Sequence, residues 1–451
     1  MYDLIVLGGG PGGYEAAAYA AKANKKVCLI EKTHIGGTCL NEGCIPLKYF
    51  LHVSKAIKEL SNLTAIGVLE GADSVALKQD IVVKNKAAIV EGLKGSVSGM
   101  LGYRGVEIIT GEGVIKSADE SHVVVTVDGA DYEAANLIIA TGSVEKRLET
   151  PAACSYKLMY SSDMLELTEI PKSIIIVGGG VIGLEAASFY ADLGSEVTIV
   201  EFMDKIGGPI DSEIEKSYER ILKKNKVKVM TSTNVTGFST NTISVEKAGE
   251  GESLSAEAVL IAIGRAPKVE GIGLENIGVD FDKKGIKIDD HCRTNLSNVY
   301  AIGDVTGKLM LAHTAYHQAK VATDNIKGVD AVAEYDLIPS IIYCNPEIFT
   351  VGKTEDAAKA EGLDYIAKSI PMTYSGRYFA EHGKDGAIFK MVIETSTKKL
   401  LGVSMMGNGT SELAVFFELL IKNGSTTDDI KNLIFPHPTV GEVVKELIDN
   451  E

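Results

Sequence analysis

Leu4-Ile5-Val6-Leu7 is an unbroken apolar run that ends at Gly8. A run this short and this apolar fits a strand buried on both faces, as in a parallel sheet. The alanine-rich stretch 14–23 predicts a helix, and Val27-Cys28-Leu29-Ile30 predicts a second strand closing on Glu31. The order then repeats. Ser173-Ile174-Ile175-Ile176-Val177 is followed by a helix through Leu193 and by Glu196-Val197-Thr198-Ile199-Val200, closing on Glu201. Elsewhere the patterning predicts helices over 78–100 and 413–422 and strands at 106–109, 122–127 and 387–394.

Glycines punctuate both strand–helix junctions. Gly8, Gly10 and Gly13 fill the GxGxxG positions of the first unit, and Gly178, Gly180 and Gly183 those of the second. In such a turn the first glycine permits the bend and the second lets a pyrophosphate reach the backbone. The third lets helix and strand pack closely. The helix N-terminus then offers free N–H groups and a positive dipole end to phosphate. Glu31 and Glu201 are placed to accept hydrogen bonds from a ribose. We read an α/β chain with two Rossmann-like dinucleotide-binding domains, holding two dinucleotides, or one and a vestigial copy. A carboxylate at Glu201 suits a free 2′-hydroxyl and repels a 2′-phosphate, and Phe202-Met203-Asp204-Lys205 contains no arginine. The second site is therefore expected to prefer NAD over NADP.

Cys39 and Cys44 lie in Gly36-Gly37-Thr38-Cys39-Leu40-Asn41-Glu42-Gly43-Cys44-Ile45-Pro46, shortly after the first acid. One helical turn covers their separation, so the sulfurs can meet, and a reversible disulfide would sit beside whatever redox ring the first fingerprint holds. Nicotinamide delivers a hydride, whereas a disulfide opens through thiolate attack. A flavin mediates between the two, which favours FAD at the first site and NAD at the second. Cys28, Cys154, Cys292 and Cys344 are scattered, no second pair has zinc spacing, and no metal is expected.

The motifs together resemble the pyridine nucleotide–disulfide oxidoreductases, most nearly the branch that oxidises dihydrolipoamide. They are Gly36 to Lys48, Thr141-Gly142-Ser143, Gly178 to Glu185, Ile263-Gly264-Arg265-Ala266-Pro267, Ala301-Ile302-Gly303-Asp304, Met310-Leu311-Ala312-His313 and Pro436-His437-Pro438-Thr439-Val440-Gly441-Glu442. The resemblance implies that Cys44 is the thiolate against the flavin and Cys39 the thiol that exchanges with substrate. Lys48 and Glu185 match an ion pair near the flavin. Asp304 matches a ribityl partner, and Met310, Leu311, Ala312 and His313 border the ring. Thr38, Gly113, Thr141, Gly142 and Ser143 match further FAD contacts, and Val235 and Gly264 contacts to NAD. His437 matches the catalytic base and Glu442 the carboxylate that orients it. Histidine suits that task because it gains and loses a proton near neutral pH. When reduced, Cys44 is expected to be a thiolate stabilised by nearby positive charge or a helix start.

Leu47, Phe435-Pro436 and Gly441 depart from the family pattern, which bears on helix packing and substrate affinity. Both thiols are present, while a second C-terminal thiol pair and an arginine-bearing NADP site are not. That separates the chain from mercuric, thioredoxin and glutathione reductases and from single-cysteine oxidases. The resemblance also implies an α+β C-terminal dimerisation domain, a homodimer, and lipoylated carrier proteins of a 2-oxoacid dehydrogenase or glycine-cleavage complex as partners. We expect a first FAD-binding part over 1–145, an NAD-binding domain over 146–265, a central part completing the FAD site over 266–335 and an interface domain over 336–451. A net charge of −16 disfavours nucleic acid and anionic membrane as partners. With no apolar run of membrane length and a start directly on a strand, the expected location is the cytoplasm. Two other readings stay open: a docking component whose enzymatic activity is incidental, and a reductase for a different disulfide.

Overall fold

The computed structural model describes residues 1–71, 75–151 and 153–449, so Asn450 and Glu451 of the C-terminus lie outside the described residues. The chain divides into two compact units. The first comprises Met1–Tyr49, Asp80–Lys146 and Gly264–Tyr335, the second Phe50–Gln79, Arg147–Ile263 and Asp336–Glu451.

In the first unit, strand Tyr2–Leu7 lies between Val27–Glu31 and Ala130–Ile139, all parallel, with Glu107–Thr110 outside Val27–Glu31. Ala130–Ile139 has two partners on its other edge. Its first half pairs antiparallel with Val123–Val127, which continues to Gly113–Ala118. Its last three residues pair parallel with Val299–Ala301. The strand at 299–301 was not legible as a separate pattern, and it has a consequence. Three neighbouring parallel strands end together at Gly8, Thr141 and Asp304, the carboxyl edge where such sheets bind ligands. Leu4, Val6, Leu29, Ile138 and Ile302 fill the core on one face; Ile5, Leu7, Ile30, Leu137 and Ile139 fill the other. Both faces being buried explains why these strands read as continuous apolar runs.

The first helix spans Pro11–Lys22, three residues earlier than alanine content alone predicts. Proline at the first helical position costs no hydrogen bond, so Gly12 and Gly13 already belong to the first turn. The helix expected over 78–100 runs to Tyr103.

In the second unit, strands Lys228–Met230, Glu196–Val200, Ser173–Val177, Ala258–Ile261 and Lys157–Met159 form a parallel sheet in that order. Asn234–Phe238, Ile243–Lys247 and Glu250–Leu254 form an antiparallel meander. The C-terminal part is a five-stranded antiparallel sheet: Ser340–Ile342, Ile348–Gly352, Leu400–Met406, Ile388–Glu394 and Tyr365–Pro371. Phe349, Phe389, Met391 and Met405 of that sheet pack with Phe417 of helix Ala414–Lys422 and with Val443 and Leu447 of helix Glu442–Asp449.

Candidate active site

The two glycine fingerprints fold alike. Gly8 has φ +107° and Gly178 φ +111°, and a Cβ on either would lie 2.3 Å from the carbonyl oxygen of Ala140 or Ala262. A Cβ on Gly13 or Gly183 would lie 1.8 or 2.0 Å from the carbonyl oxygen of Gly8 or Gly178. Only glycine fits at these four positions. At Gly10 a Cβ would meet nothing nearer than Gly37 Cα at 3.9 Å, and at Gly180 nothing within 4 Å. Helices Pro11–Lys22 and Val181–Asp192 have no side-chain cap and no acid in the first turn. Their leading N–H groups thus face open space beside a small residue, the cradle a diphosphate requires.

The two acids are also held alike. Glu31 accepts the N–H of Gly9 at 2.6 Å and of Thr33 at 2.8 Å. Glu201 accepts the N–H of Gly179 and, at 2.7 Å, of Met203. Each carboxylate is fixed at its strand end with lone pairs remaining for ribose hydroxyls. Both residue sets fit a dinucleotide.

The thiol segment packs on the first fingerprint. Gly36 donates its N–H to Gly9 O at 2.8 Å, and a Cβ on Gly37 would lie 2.7 Å from Gly10 Cα. Helix Gly37–Glu42 carries Cys39, and Cys44 opens helix Cys44–Ala65. The two are joined in a disulfide with a Cα–Cα distance of 4.7 Å. Cys44 is exposed and Cys39 half-buried. A thiolate released at Cys44 would lie at a helix N-terminus, favoured by the dipole, with Lys48 one turn along on the same face. The remaining thiols are unlike these. Burial pushes those of Cys28, Cys292 and Cys344 up to about 12, whereas Cys154 is only half-buried.

Asp304, in the turn Gly303–Thr306, meets Ser143, whose hydroxyl donates to Asp304 Oδ2 at 2.6 Å. Arg265 sets that polarity. Its Nε donates to Ser143 Oγ at 2.7 Å, so the hydroxyl proton is left for the carboxylate. Arg265 Nη2 also donates to Ser143 O at 2.9 Å and reaches Thr38 Oγ1 at 3.4 Å. Gly303 is held in turn, its N–H donating to the buried Gln318 Oε1 at 2.6 Å. Sequence reading assigned no role to Arg265 or Gln318. The GRAP motif around Arg265 was a signal; Gln318, inside a helix, had none.

The other candidate residues are dispersed. Thr141 donates its hydroxyl to Lys268 O at 2.9 Å, and Gly142 O accepts the Lys268 N–H. Gly113 packs under Leu7 and Ile30, where a Cβ would lie 2.5 Å from Leu7 Cδ1. Met310 is half-buried, Leu311 caps helix Ala312–Ile326, Ala312 begins it, and His313 is exposed on its first turn. Val235 lies in strand Asn234–Phe238, and Gly264 O accepts the Lys146 N–H at 3.0 Å. Glu185 is buried on helix Val181–Asp192 and accepts the Tyr343 N–H at 3.0 Å. Lys48 and Glu185 belong to different units.

His437 and Glu442 do meet, Nδ1 to Oε1, at 2.8 Å. The second oxygen of Glu442 accepts the Thr439 N–H at 2.8 Å. These two donors, the backbone N–H first, hold the Glu442 carboxyl below the usual carboxylate range. A carboxylate can only accept from Nδ1, so the proton sits there and Nε2 presents its lone pair. The histidine side chain is 80% exposed, open to an incoming thiol.

Comparison with known proteins agrees with this geometry. Residues 2–319 match the family model described as pyridine nucleotide-disulphide oxidoreductase, and residues 338–448 match the dimerisation domain of that family. The chain belongs to the pyridine nucleotide-disulphide oxidoreductases. As a member of that family it is a flavoprotein disulfide oxidoreductase whose cofactors are FAD and NAD. It is 35% identical to a dihydrolipoyl dehydrogenase of Geobacillus stearothermophilus, over 98% of this chain and 95% of that relative. It is 37% identical to mitochondrial dihydrolipoyl dehydrogenase 2 of Arabidopsis thaliana, over 98% and 89%. The crystal structure of LpdA from Mycobacterium tuberculosis shares the fold, with a TM-score of 0.91, 22% identity and 99% of both chains covered. Among the described residues no helix is long and apolar enough to cross a membrane.

Proposed function

We propose that this oxidoreductase is a dihydrolipoyl dehydrogenase, oxidising protein-bound dihydrolipoamide to lipoamide while NAD becomes NADH. The observation that carries the reading is the Cys39–Cys44 disulfide packed against the first dinucleotide fingerprint. The relatives named above support the choice of substrate.

In this reading a substrate thiolate attacks Cys39 Sγ, breaking the protein disulfide and releasing Cys44 as a thiolate. His437 Nε2 takes the proton of the second substrate thiol, which attacks the mixed disulfide and frees Cys39. The substrate leaves as a cyclic disulfide, and the enzyme retains two electrons and the proton. Bound FAD supplies the route by which those electrons reach NAD as a hydride. Glu442 holds the ring that accepts the proton and stabilises its charged form. Asp304, aligned by Ser143 and Arg265, holds the flavin side chain. Thr38, Gly113, Thr141, Gly142 and Met310 to His313 line the FAD site, Val235 and Gly264 the NAD site. Lys48, one turn beyond Cys44, and Glu185, on helix Val181–Asp192, are the remaining residues to which the family resemblance gives a part in the redox step.

The protein works as a homodimer in which His437 of one subunit serves the disulfide of its partner. Supporting this are the dimerisation-domain match and the exposed apolar side chains Val415, Leu419 and Ile434, the last 96% exposed. We divide the chain functionally at 145, 265 and 335, as the motifs suggest, and place it in the cytoplasm as the shared component of a lipoate-bearing assembly. Steady-state assays with dihydrolipoamide or glutathione, each with NAD and NADP, test this, alongside sedimentation for the dimer. Turnover only with dihydrolipoamide and NAD is the expected result. Turnover of glutathione with NADP, and none of dihydrolipoamide, overturns the reading.

A further inference from the structure

The loop that carries His437 has little of its own to hold it. Leu433, Ile434, Pro436, His437 and Pro438 are exposed, while Phe435 and Val440 pack against the C-terminal core. Such apolar contacts keep the loop down without fixing the direction of any carbonyl or N–H. Direction comes from Thr439. Its Oγ1 donates to Pro436 O at 2.8 Å, closing a turn around His437, and its N–H donates to Glu442 Oε2 at 2.8 Å. Its carbonyl oxygen accepts the hydroxyl proton of Ser375 at 2.9 Å.

Ser375 is fully buried and held from both sides. Its N–H donates to Met372 O at 3.0 Å, and its carbonyl accepts the Phe379 N–H at 2.9 Å. Met372 in turn donates its N–H to Ala387 O at 3.0 Å, beside strand Ile388–Glu394. Ser375 Oγ also caps helix Gly376–His382, accepting the Tyr378 N–H at 3.2 Å. A cap needs only the oxygen of a hydroxyl. Its proton is left over, and here it is spent on a different element, Thr439 O. With alanine at 375 that carbonyl would face the more distant Glu442 N–H, at 3.4 Å, and would be free to turn.

We propose that Ser375 is a positioning residue for the proton-accepting pair: by fastening Thr439 it aims the Thr439 N–H at Glu442, and so holds His437 ready for the substrate thiol. Every residue in this chain of contacts belongs to the second compact unit. The proposal rests on the reading of His437 as the base. Ser375 acts through Glu442 and His437 alone, so its removal should slow the dithiol step and leave the nicotinamide step untouched.

The test uses FAD-loaded enzyme and follows kcat and KM for dihydrolipoamide and NAD, dye reduction by NADH, and thermal unfolding. S375A is expected to lower kcat for dihydrolipoamide about fivefold, with both KM values within about twofold and dye reduction at the wild-type rate. S375T keeps a hydroxyl and restores turnover. S375A combined with E442Q is expected to stay within about twofold of E442Q alone, because the second change breaks a link the first has already cut. If S375A fails to fold, S375C takes its place, since a thiol is close in size and only a weak donor. Independent, multiplying losses in the double variant overturn the proposal. So does a parallel fall in dye reduction, or a folded S375T as slow as S375A. If E442Q itself leaves dihydrolipoamide turnover unchanged, the reading of the base pair falls and the proposal with it. If E442Q lowers turnover and S375A does not, only the positioning role is overturned.

Discussion

Glu442→Gln isolates the contribution of one carboxylate to the chemistry. In the native protein its two oxygens face two N–H donors, His437 Nδ1 and the Thr439 backbone, each at 2.8 Å. Glutamine presents one oxygen and one NH2 group to those donors. If the oxygen faces Thr439, the NH2 group forces the imidazole proton onto Nε2, where it blocks proton uptake from a thiol. If the oxygen faces His437, Thr439 loses its acceptor. Either choice removes a hydrogen bond to a charged acceptor, about 1.5–3 kcal/mol where it must stabilise the imidazolium. That converts to a fall of roughly 10- to 100-fold in kcat for dihydrolipoamide oxidation. Stability should hardly change, because exposed ion pairs contribute about 0–1 kcal/mol. NADH-driven reduction of an artificial dye bypasses the dithiol and should remain at the wild-type rate. The assay is therefore both activities on one preparation, with an unfolding curve. If dihydrolipoamide turnover stays within about threefold of wild type, Glu442 does not orient the base.

Glu201→Ala removes the acceptor of the Gly179 and Met203 N–H groups and the carboxylate offered to ribose. Selectivity for NAD over NADP, as the ratio of kcat/KM values, should fall about tenfold or more; an unchanged ratio counts against a ribose role. Gly183→Ala puts a methyl group 2.0 Å from Gly178 O. It should abolish NAD reduction while the protein retains FAD, and yellow enzyme with normal NAD turnover would refute the close packing. Burial raises the Asp192 carboxyl from 3.8 to about 6, against lowering by Asn345, Lys55 and Lys58. The folded form holds that proton more tightly than the unfolded form. The resulting stability is fully present below about pH 4 and is lost as pH rises through about 6. Between those limits the wild type should lose about 3 kcal/mol relative to D192N in denaturant titrations; parallel pH profiles would contradict this.

What could be read without coordinates was mostly local. The glycine fingerprints, the terminal acids, the Cys39–Cys44 pair and the His437–Glu442 pair each lie within a few tens of residues, where spacing limits geometry. Long-range partners were beyond reach. Ser143 and Asp304 stand 161 positions apart, and Glu185 and Tyr343 stand 158 apart. Nothing in either segment alone says that two parallel strands deliver Ser143 and Asp304 to one sheet edge. The strand at 299–301 was illegible because three residues carry too little pattern. Arg265 was visible inside a motif, but its role as the donor that polarises Ser143 follows only from the sheet. Alanine content alone starts the first helix three residues late, because the fixed backbone of Pro11 already favours the first helical turn.

In the proposed reaction every electron passes through the thiol pair packed on the first glycine loop. Cys39→Ser, loaded with FAD, measures that passage directly when oxidation of dihydrolipoamide by NAD and dye reduction by NADH are followed side by side. The expected result is loss of the first activity with the second preserved. Continued oxidation of dihydrolipoamide at the wild-type rate would show that the electrons travel by another path.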